Sequence, residues 1–475
     1  MSQIFYVSTY ASLAAADSAA TSAGGVLYID TNVTLAANTT LSAREVYFAG
    51  GIITRSSYTL TCAGVIVAGD TKIFDAAGTG GITTKNGVVN ARWFGAVGDG
   101  TTDDTNTLIQ CQKCCDNSVV GTGASIMRLP LGTYAISAPL PWYGSIVGDG
   151  SSSSAIIALS GFSGSYMLDF NYGTEGKQME GVTWDLRALG SSGTVTAFGS
   201  SSAGHGGGSA AGEYRDVTVL STSCSTFAIK CRSSGVPEAW MFTGARFYGL
   251  RISAPLPWDV EIGDDLVLVE PRFHIADHGN TVPCEFLTTN TKIISMYSWV
   301  SISDDADSAI FMVGNGVSID GHFIEGSSNL AWVYMYPSGS PQPISISRVE
   351  TNLTMGTTST QKAFIRTNTM PTTRNFGVSI DTVCPVSGPI PCDYLFSIFN
   401  SWTGVVPWQL QLQVKGCDHF GDLAKAGVSS SASSHNTVIV TGQFREVIMQ
   451  HEFTCPAALG SYVGHGLVKT PPSTY

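Results

Sequence analysis

The strongest constraint on this chain is a loose repeat between about residues 150 and 350. Six short segments share one look: Glu180-Gly181-Val182-Thr183-Trp184-Asp185, Arg215-Asp216-Val217-Thr218-Val219-Leu220, Thr243-Gly244-Ala245-Arg246-Phe247-Tyr248, Glu270-Pro271-Arg272-Phe273-His274-Ile275, Asp320-Gly321-His322-Phe323-Ile324-Glu325 and Ser345-Ile346-Ser347-Arg348-Val349-Glu350. Most recur at intervals of about 23–35 residues, with a weaker member at Lys292-Ile293-Ile294 in the longest gap. Alternation of apolar and polar residues marks strands with one buried face, and a fixed period of this size marks stacked supersecondary units. The pattern predicts an all-β solenoid of parallel coils. A length of 475 residues is too great for one ordinary core, but a solenoid escapes that limit because each coil buries its face on the next.

Upstream lies a second organising stretch, Arg92-Trp93-Phe94-Gly95-Ala96-Val97-Gly98-Asp99-Gly100-Thr101-Thr102-Asp103-Asp104-Thr105. Gly98 and Gly100 permit positive φ around Asp99, and Thr101 to Asp104 offer side-chain oxygens to free N–H groups at a helix start. The helix is expected to run through Leu108, Ile109 and Gln110 to about Asn117, ending at Gly121-Thr122-Gly123. A strand Ile126–Leu129 follows, then Pro130-Leu131-Gly132-Thr133-Tyr134, then Ile146-Val147-Gly148-Asp149-Gly150. Over about 60 residues this order resembles the pectate-lyase-like right-handed parallel β-helix of bacteriophage tailspikes and polysaccharide depolymerases. The resemblance implies a right-handed β-helix entered through a capping segment, 91–150, and a polysaccharide ligand. The aspartates of the stretch read as caps and turns, and no catalysis is placed there.

Residues 1–90 look like a weaker rehearsal of the cap, with a short helix at Ala11–Asp17, Gly24-Gly25, and strands at Val26–Ile29, Glu45–Phe48 and Val65–Ala68. They form either a β-rich lead-in domain or a first, irregular set of coils. The β-helix is expected over 91–370, with Ser191–Gly212 as a loop insertion. After 370, Pro371, Pro385, Pro389, Pro391 and Pro407 break the rhythm, and Trp408–Val414 and Thr437–Val440 alternate. This 371–475 region is expected to be antiparallel β structure, and the resemblance implies that it locks a homotrimer.

Composition narrows the partners. A net charge of −12 leaves no nucleic-acid footprint, and no run of about 18 apolar residues is present to insert in a membrane. The eleven cysteines are an odd number, and Cys111-x-x-Cys114 lacks a second Cys/His pair at zinc spacing, so the thiols are expected to be reduced and structural, with no metal and no cofactor. Met1-Ser2-Gln3-Ile4-Phe5 lacks a basic start and a long apolar core. That favours the virion branch of the resemblance: a phage tail or baseplate component made in the host cytoplasm and acting at the host surface.

Stacked coils supply a ruler, because paired strands lie about 4.8 Å apart. Glycoside hydrolysis needs two carboxyl groups about 5–5.5 Å apart for retention or about 6.5–9.5 Å for inversion. Ser303-Asp304-Asp305-Ala306-Asp307-Ser308 packs three acids into four positions, Glu325 follows about one coil later, and Glu270 precedes. One of Glu325 and Glu270 then reads as a general acid, Asp304 or Asp307 as nucleophile or base, and Asp305 as a substrate ligand. The same acidic run also reads as a solvated turn capping its own backbone. Arg272 and His322 fall in one column of the repeat, with His274, Asp277 and His278 nearby; Arg272 with His322 or His274 suits uronate binding and α-proton removal by a lyase, while His274, Asp277 and His278 have the residue types of a metal site but lack an evident third strong ligand. Trp299 and Trp332 flank the acids and can stack on sugar faces. The expectation is a tailspike that binds and hydrolyses a bacterial surface polysaccharide, with a lyase or a binding-only fibre as alternatives.

Overall fold

A computed structural model of the chain describes residues 3–260 apart from 76, 117–125, 171–175, 200–211, 232–241 and 243. It describes 265–349 apart from 277–280, 288–289, 303–308, 315, 329–330 and 337–343, with backbone only at 331–336. Beyond 349 it describes the backbone of strands at 350–355, 363–367, 376–380, 383–385, 394–398, 408–415, 422–426 and 437–443. The chain divides into two units, Met1–Leu189 with Ala197–Thr218, and Gly190–Thr196 with Val219–Tyr475. Each is wound as a parallel β-helix.

The first unit opens with four parallel strands, Ile4–Tyr6, Val26–Ile29, Glu45–Phe48 and Val65–Val67. Two short parallel sheets complete these coils, Val33–Thr34 with Ile53–Thr54, and Thr39–Leu41 with Leu60–Cys62 and Ile82–Thr84. All of these strands pair in parallel. A helix, Leu13–Ser22, packs under them; its N-cap Ser12 accepts from the Ala15 N–H, and buried Asp17 accepts from the N–H groups of Ser42 and Ala43.

The capping segment follows, with two differences from expectation. Asp99–Asp103 is a short strand inserted between the glycine turn and the helix Thr105–Cys114. Asp104 stands at the helix N-cap but turns its carboxylate back, accepting from Val97 N–H (2.7 Å) and Gly98 N–H (2.9 Å). Asp99 accepts from Thr101 and Thr102 N–H, and Asp103 from Thr105 N–H. These aspartates therefore hold the turn closed. The helix stops at Cys114, short of Asn117, and its buried Gln112 accepts from the N–H groups of Tyr143 and Gly144. Cys111 and Cys114 are buried, and desolvation pushes the Cys114 thiol up to about 12. Such thiols behave as small hydrophobes.

In the second unit two parallel sheets carry the winding. One contains Arg246–Tyr248, Arg251–Ser253, Val267–Val269, Arg272–Ile275, Lys292–Ile302, Ser318–Ser328 and Ile344–Met355. The other contains Ile229–Cys231, Trp258–Val260, Cys284–Phe286, Ala309–Gly314 and Ala331–Tyr336. Between them Phe247, Trp258, Phe273, Phe286 and Phe311 form a continuous aromatic core. The described residues of every repeat segment read from the sequence lie on a strand or on the turn leading into one.

The repeat is sharper in the backbone than in the side chains. Gly244, Asp265, Asn290 and Gly316 all have positive φ, and five residues later so do Gly249, Glu270, Ser295 and Gly321, with Arg348 continuing the second column. Each coil therefore enters its strand through one left-handed residue and bends at a second. Glycine, Asn and Asp dominate the first column because they adopt this conformation most readily.

The antiparallel expectation after 370 is corrected. Phe376–Ile380, Trp408–Lys415 and Thr437–Gln443 pair in parallel, and the first of them pairs in parallel with Ile344–Met355. Alternation alone does not fix direction. The connections do, because about 20 or more residues separate these strands, enough for a complete coil and far more than a hairpin.

The coils also approach tightly at one place. A Cβ on Gly326, whose φ is +116°, would lie 1.9 Å from the Val300 carbonyl oxygen. Gly326→Ala is expected to destabilise the second unit by about 2–3 kcal/mol or more through this backbone clash, whereas Gly249→Ala, with open space around it, is expected to cost about 1–2 kcal/mol from φ alone. Urea unfolding of the two variants against the parent protein checks the order.

Candidate functional site

The parallel register arranges the outward side chains of the second unit in rows. Ser253, His274, Trp299 and Glu325 are successive partners across four strands. Two residues earlier on the same strands, Arg251, Arg272, Tyr297 and Phe323 form the neighbouring row. Both rows face outward because side chains alternate along a strand, while Ile252, Phe273, Ser298 and Ile324 between them are buried.

These outward groups touch. The Tyr297 hydroxyl donates to the Glu325 carboxylate. Its phenol pKa is raised, first by that hydrogen bond and then by partial burial, so it remains a proton donor through neutral pH. The Tyr297 and Phe323 rings stack at 5.8 Å with 15° between planes. His274 packs edge-on against Trp299, ring centroids 4.2 Å apart, and its Nδ1 lies 3.3 Å from the Ser253 hydroxyl. Burial lowers the His274 pKa, which favours the neutral imidazole. Trp299 is 38% exposed, a large apolar surface left open to solvent. Gly326, directly after Glu325, lets the two strands close up beside the carboxylate.

Glu325, Trp299 and His274 of the expected site are thus brought together, with Arg272 in the next row. Other expectations change. His322 does not share a column with Arg272; its strand partners are Met296 and Val349, whereas Arg272 pairs with Tyr297. A one-residue offset reverses the face, and His322 is buried at 2% exposure. Its Nε2 lies 3.0 Å from the Ser298 hydroxyl and its ring meets Phe311 edge-on at 5.1 Å, so it belongs to the core and not to a substrate surface. Glu270 sits exposed in the left-handed corner column, four residues before His274 along the strand and two coils from Glu325. Those steps separate it from Glu325 by about 16 Å of backbone, beyond the span of a glycosidase pair. Asp304, Asp305 and Asp307, with Asp277 and His278, lie outside the described residues, as does the Trp332 side chain. The acidic run joins the strand ending at Ile302, three residues beyond Trp299, to the strand beginning at Ala309.

Tyr297, Ser253, Phe323 and Arg251 were not singled out from sequence. Parity holds the signal for Tyr297: it lies two residues before Trp299 and therefore on the same face. Trp184 and Trp258 are fully buried core. Among the described residues no three His, Cys, Asp or Glu side chains are grouped so as to hold a metal ion.

Residues 88–253 match the family model described as "Rhamnogalacturonase A/epimerase, pectate lyase-like". This segment is pectate-lyase-like. It takes in the whole glycine–aspartate turn, the capping helix and the coils up to Ser253. The pectate-lyase-like segment thus ends where the outward rows begin. A protein of Arthroderma benhamiae named "Probable glucan endo-1,3-beta-glucosidase" is 36% identical over 89 residues, 17% of this chain and 10% of that protein. The chain therefore spans only a small part of that relative. Among solved structures, the catalytic unit of a GH87 alpha-1,3-glucanase from Streptomyces thermodiastaticus is similar with a TM-score of 0.42 and 14% identity, covering 75% of this chain and 64% of that one. Gene product 12 of bacteriophage phi29, in its pre-mature form, gives a TM-score of 0.39 and 13% identity, covering 75% and 52%.

The buried His322 carries a pH signature. Desolvation pushes its pKa from 6.5 down to about 3. Below pH 6.5 the unfolded chain takes up a proton that the folded chain refuses, so stability is lost as pH falls from about 6.5 towards 3, by up to about 1.4 kcal/mol per pH unit. His322→Gln, which does not titrate, is expected to lower stability at pH 7.5 yet show a shallower loss between pH 6.5 and 4. Urea midpoints at several pH values measure the difference in slope.

Proposed function

We propose that this protein is a tailspike-type β-helix that binds and hydrolyses a bacterial surface polysaccharide. The carrying observation is the outward row in which exposed Trp299 lies between His274 and Glu325, with Tyr297 bonded to that carboxylate. A flat exposed ring beside polar groups suits the apolar face and hydroxyl edge of a sugar. The rows run along the stacking direction, so several sugars of a polymer can lie across successive coils.

In this reading Glu325 is one member of the carboxyl pair, and Tyr297 fixes its orientation. Asp304 or Asp307, on the segment that follows Trp299 in the chain, supplies the other. One carboxyl protonates the leaving oxygen and the other attacks the anomeric carbon or activates water. Asp305 and Trp332 extend the sugar contacts. The family model and the sequence likeness to tailspikes support polysaccharide as the ligand. On the same likeness we assign the protein to a virion tail as a homotrimer.

One observation favours a lyase as the second reading. Neutral His274 is a competent base on the exposed face, and Arg272, in the adjoining row, can neutralise a uronate carboxylate.

Glu325→Gln is expected to reduce depolymerisation of a susceptible capsule by about 100-fold or more, with either Asp304→Asn or Asp307→Asn doing the same. Trp299→Ala is expected to weaken binding by about tenfold. Reducing-end release by the parent protein without an unsaturated product supports hydrolysis, and ultraviolet absorbance of an unsaturated uronate, lost in His274→Ala, supports the lyase. Full activity in all three carboxylate variants overturns the hydrolytic site. Binding without any product leaves a receptor-binding fibre.

A further inference from the structure

We infer that Ser253 and His274 form a nucleophile–base pair for acyl transfer, so that the protein also removes O-acyl esters, such as acetyl groups, from the sugars it binds. The inference rests on the polysaccharide reading above for its substrate. It adds to that reading a second bond type and a role for Ser253, which has none there.

Register brings the two side chains together. Ser253 and His274 are strand partners on adjacent coils, and both stand in the outward row. Ser253 is half-buried and His274 exposed. Backbone bonds hold each in place: the Ser221 N–H donates to the Ser253 carbonyl (2.9 Å), and the Ala254 N–H donates to the His274 carbonyl (3.1 Å). The Ser253 hydroxyl lies 3.3 Å from His274 Nδ1. That is slightly longer than the about 2.6–3.2 Å of a working pair, a separation ordinary before substrate binds and tightens it. A serine becomes nucleophilic when a positioned neutral base takes its proton, and a third group must orient that base. Burial favours the neutral form of His274, and Trp299 packs edge-on against its ring at 4.2 Å.

A glycosidic bond offers a serine no carbonyl carbon to attack, whereas an O-acyl sugar does. The reaction closes with water as its only co-reactant. Ser253 Oγ attacks the ester carbonyl carbon while its proton passes to His274 Nδ1. The bond from that carbon to the sugar oxygen then breaks, and His274 gives the proton to the sugar oxygen, freeing a hydroxyl. Water attacks the acyl-serine and passes one proton to His274. The bond from the acyl carbon to Ser253 Oγ breaks, that proton restores the serine hydroxyl, and the carboxylic acid leaves. Arg272, exposed on the same face two residues before His274 and about 7 Å away along the strand, supplies a cation for the oxyanion. A sugar resting on Trp299 is the leaving alcohol, beside the imidazole that protonates it.

The test incubates the full chain with a panel of O-acetylated bacterial capsular and O-antigen polysaccharides and measures free acetate. Acetate is expected from at least one glycan that the protein binds, with a rate that falls only below about pH 6.5, where His274 takes up a proton. Ser253→Ala and His274→Gln are each expected to cut this release by about 100-fold or more, with unchanged melting temperature. The serine variant separates this chemistry from the lyase reading, because α-proton removal by His274 needs no serine. An aryl sulfonyl fluoride is expected to sulfonylate Ser253 with loss of fluoride, seen as a peptide mass shift in the parent protein and absent in His274→Gln. Glycans bound or cut with every acetyl group retained, or acetate released at the parent rate by Ser253→Ala, overturn the esterase and leave the polysaccharide reading standing. If no glycan is bound, cut or deacetylated, the polysaccharide reading fails, and this inference fails with it.

Discussion

Everything in this molecule depends on the parallel hydrogen-bonded register between successive coils. It does two things at once. It fixes a layer spacing of about 4.8 Å, and it fixes which face each side chain takes. Trp299 and Glu325 are far apart in sequence, but as strand partners their positions are set by backbone bonding, before any contact between the side chains themselves. The outward rows are a consequence of that bonding, and the aromatic core from Phe247 to Phe311 is its inward counterpart.

Register persists over many coils only if every coil bends at the same place. The two left-handed columns supply this. The first is filled by Gly244, Asp265, Asn290 and Gly316, residue types that take positive φ with little strain. The second tolerates Glu270, Ser295 and Arg348, where an L side chain costs about 1–2 kcal/mol at each position. That strain is offset by the strand pairing on either side, such as the Glu270 N–H donating to the Ile294 carbonyl at 2.8 Å. The corner also resets the alternation. Gly321 forms the bend, so His322 begins the new face on the inside, and Glu325, three residues further, lies outside.

The coil period, the cap and the strand positions were legible in the sequence because local chemistry determines them. Glycine and aspartate spacing shows the turn from Gly95 to Asp104, and alternation shows the strands. Register was not legible to the same precision. Aligning Arg272 with His322 matched them by their place in the repeat segments, and the true partners differ by one residue, enough to move His322 from surface to core. Strand direction after 370 was misjudged for a related reason: Trp408–Lys415 alternates as an edge or hairpin strand would, and only its pairing partners distinguish the two. Of the candidate site, Glu325, Trp299 and His274 were found as residue types near an acidic run. Tyr297 was missed because it draws attention only once parity is applied from Trp299 backwards.

The two histidines show how far the same side chain is redefined by its row. His322 is enclosed by Phe311 and Ser298, and burial keeps it uncharged even in mild acid. His274 shares its coil face with Trp299 and Ser253 and keeps an exposed edge. Both are held towards the neutral form by desolvation, yet only His274 can meet a solute. Residue type and approximate column therefore do not decide function in a solenoid. Face decides it, and face is set by the count of residues from the nearest left-handed corner. Counting from Gly321 sends Phe323 and Glu325 out and His322 and Ile324 in. Counting from Glu270 sends Arg272 and His274 out and Phe273 and Ile275 in. The corner columns thus set which side chains face outward and which enter the core.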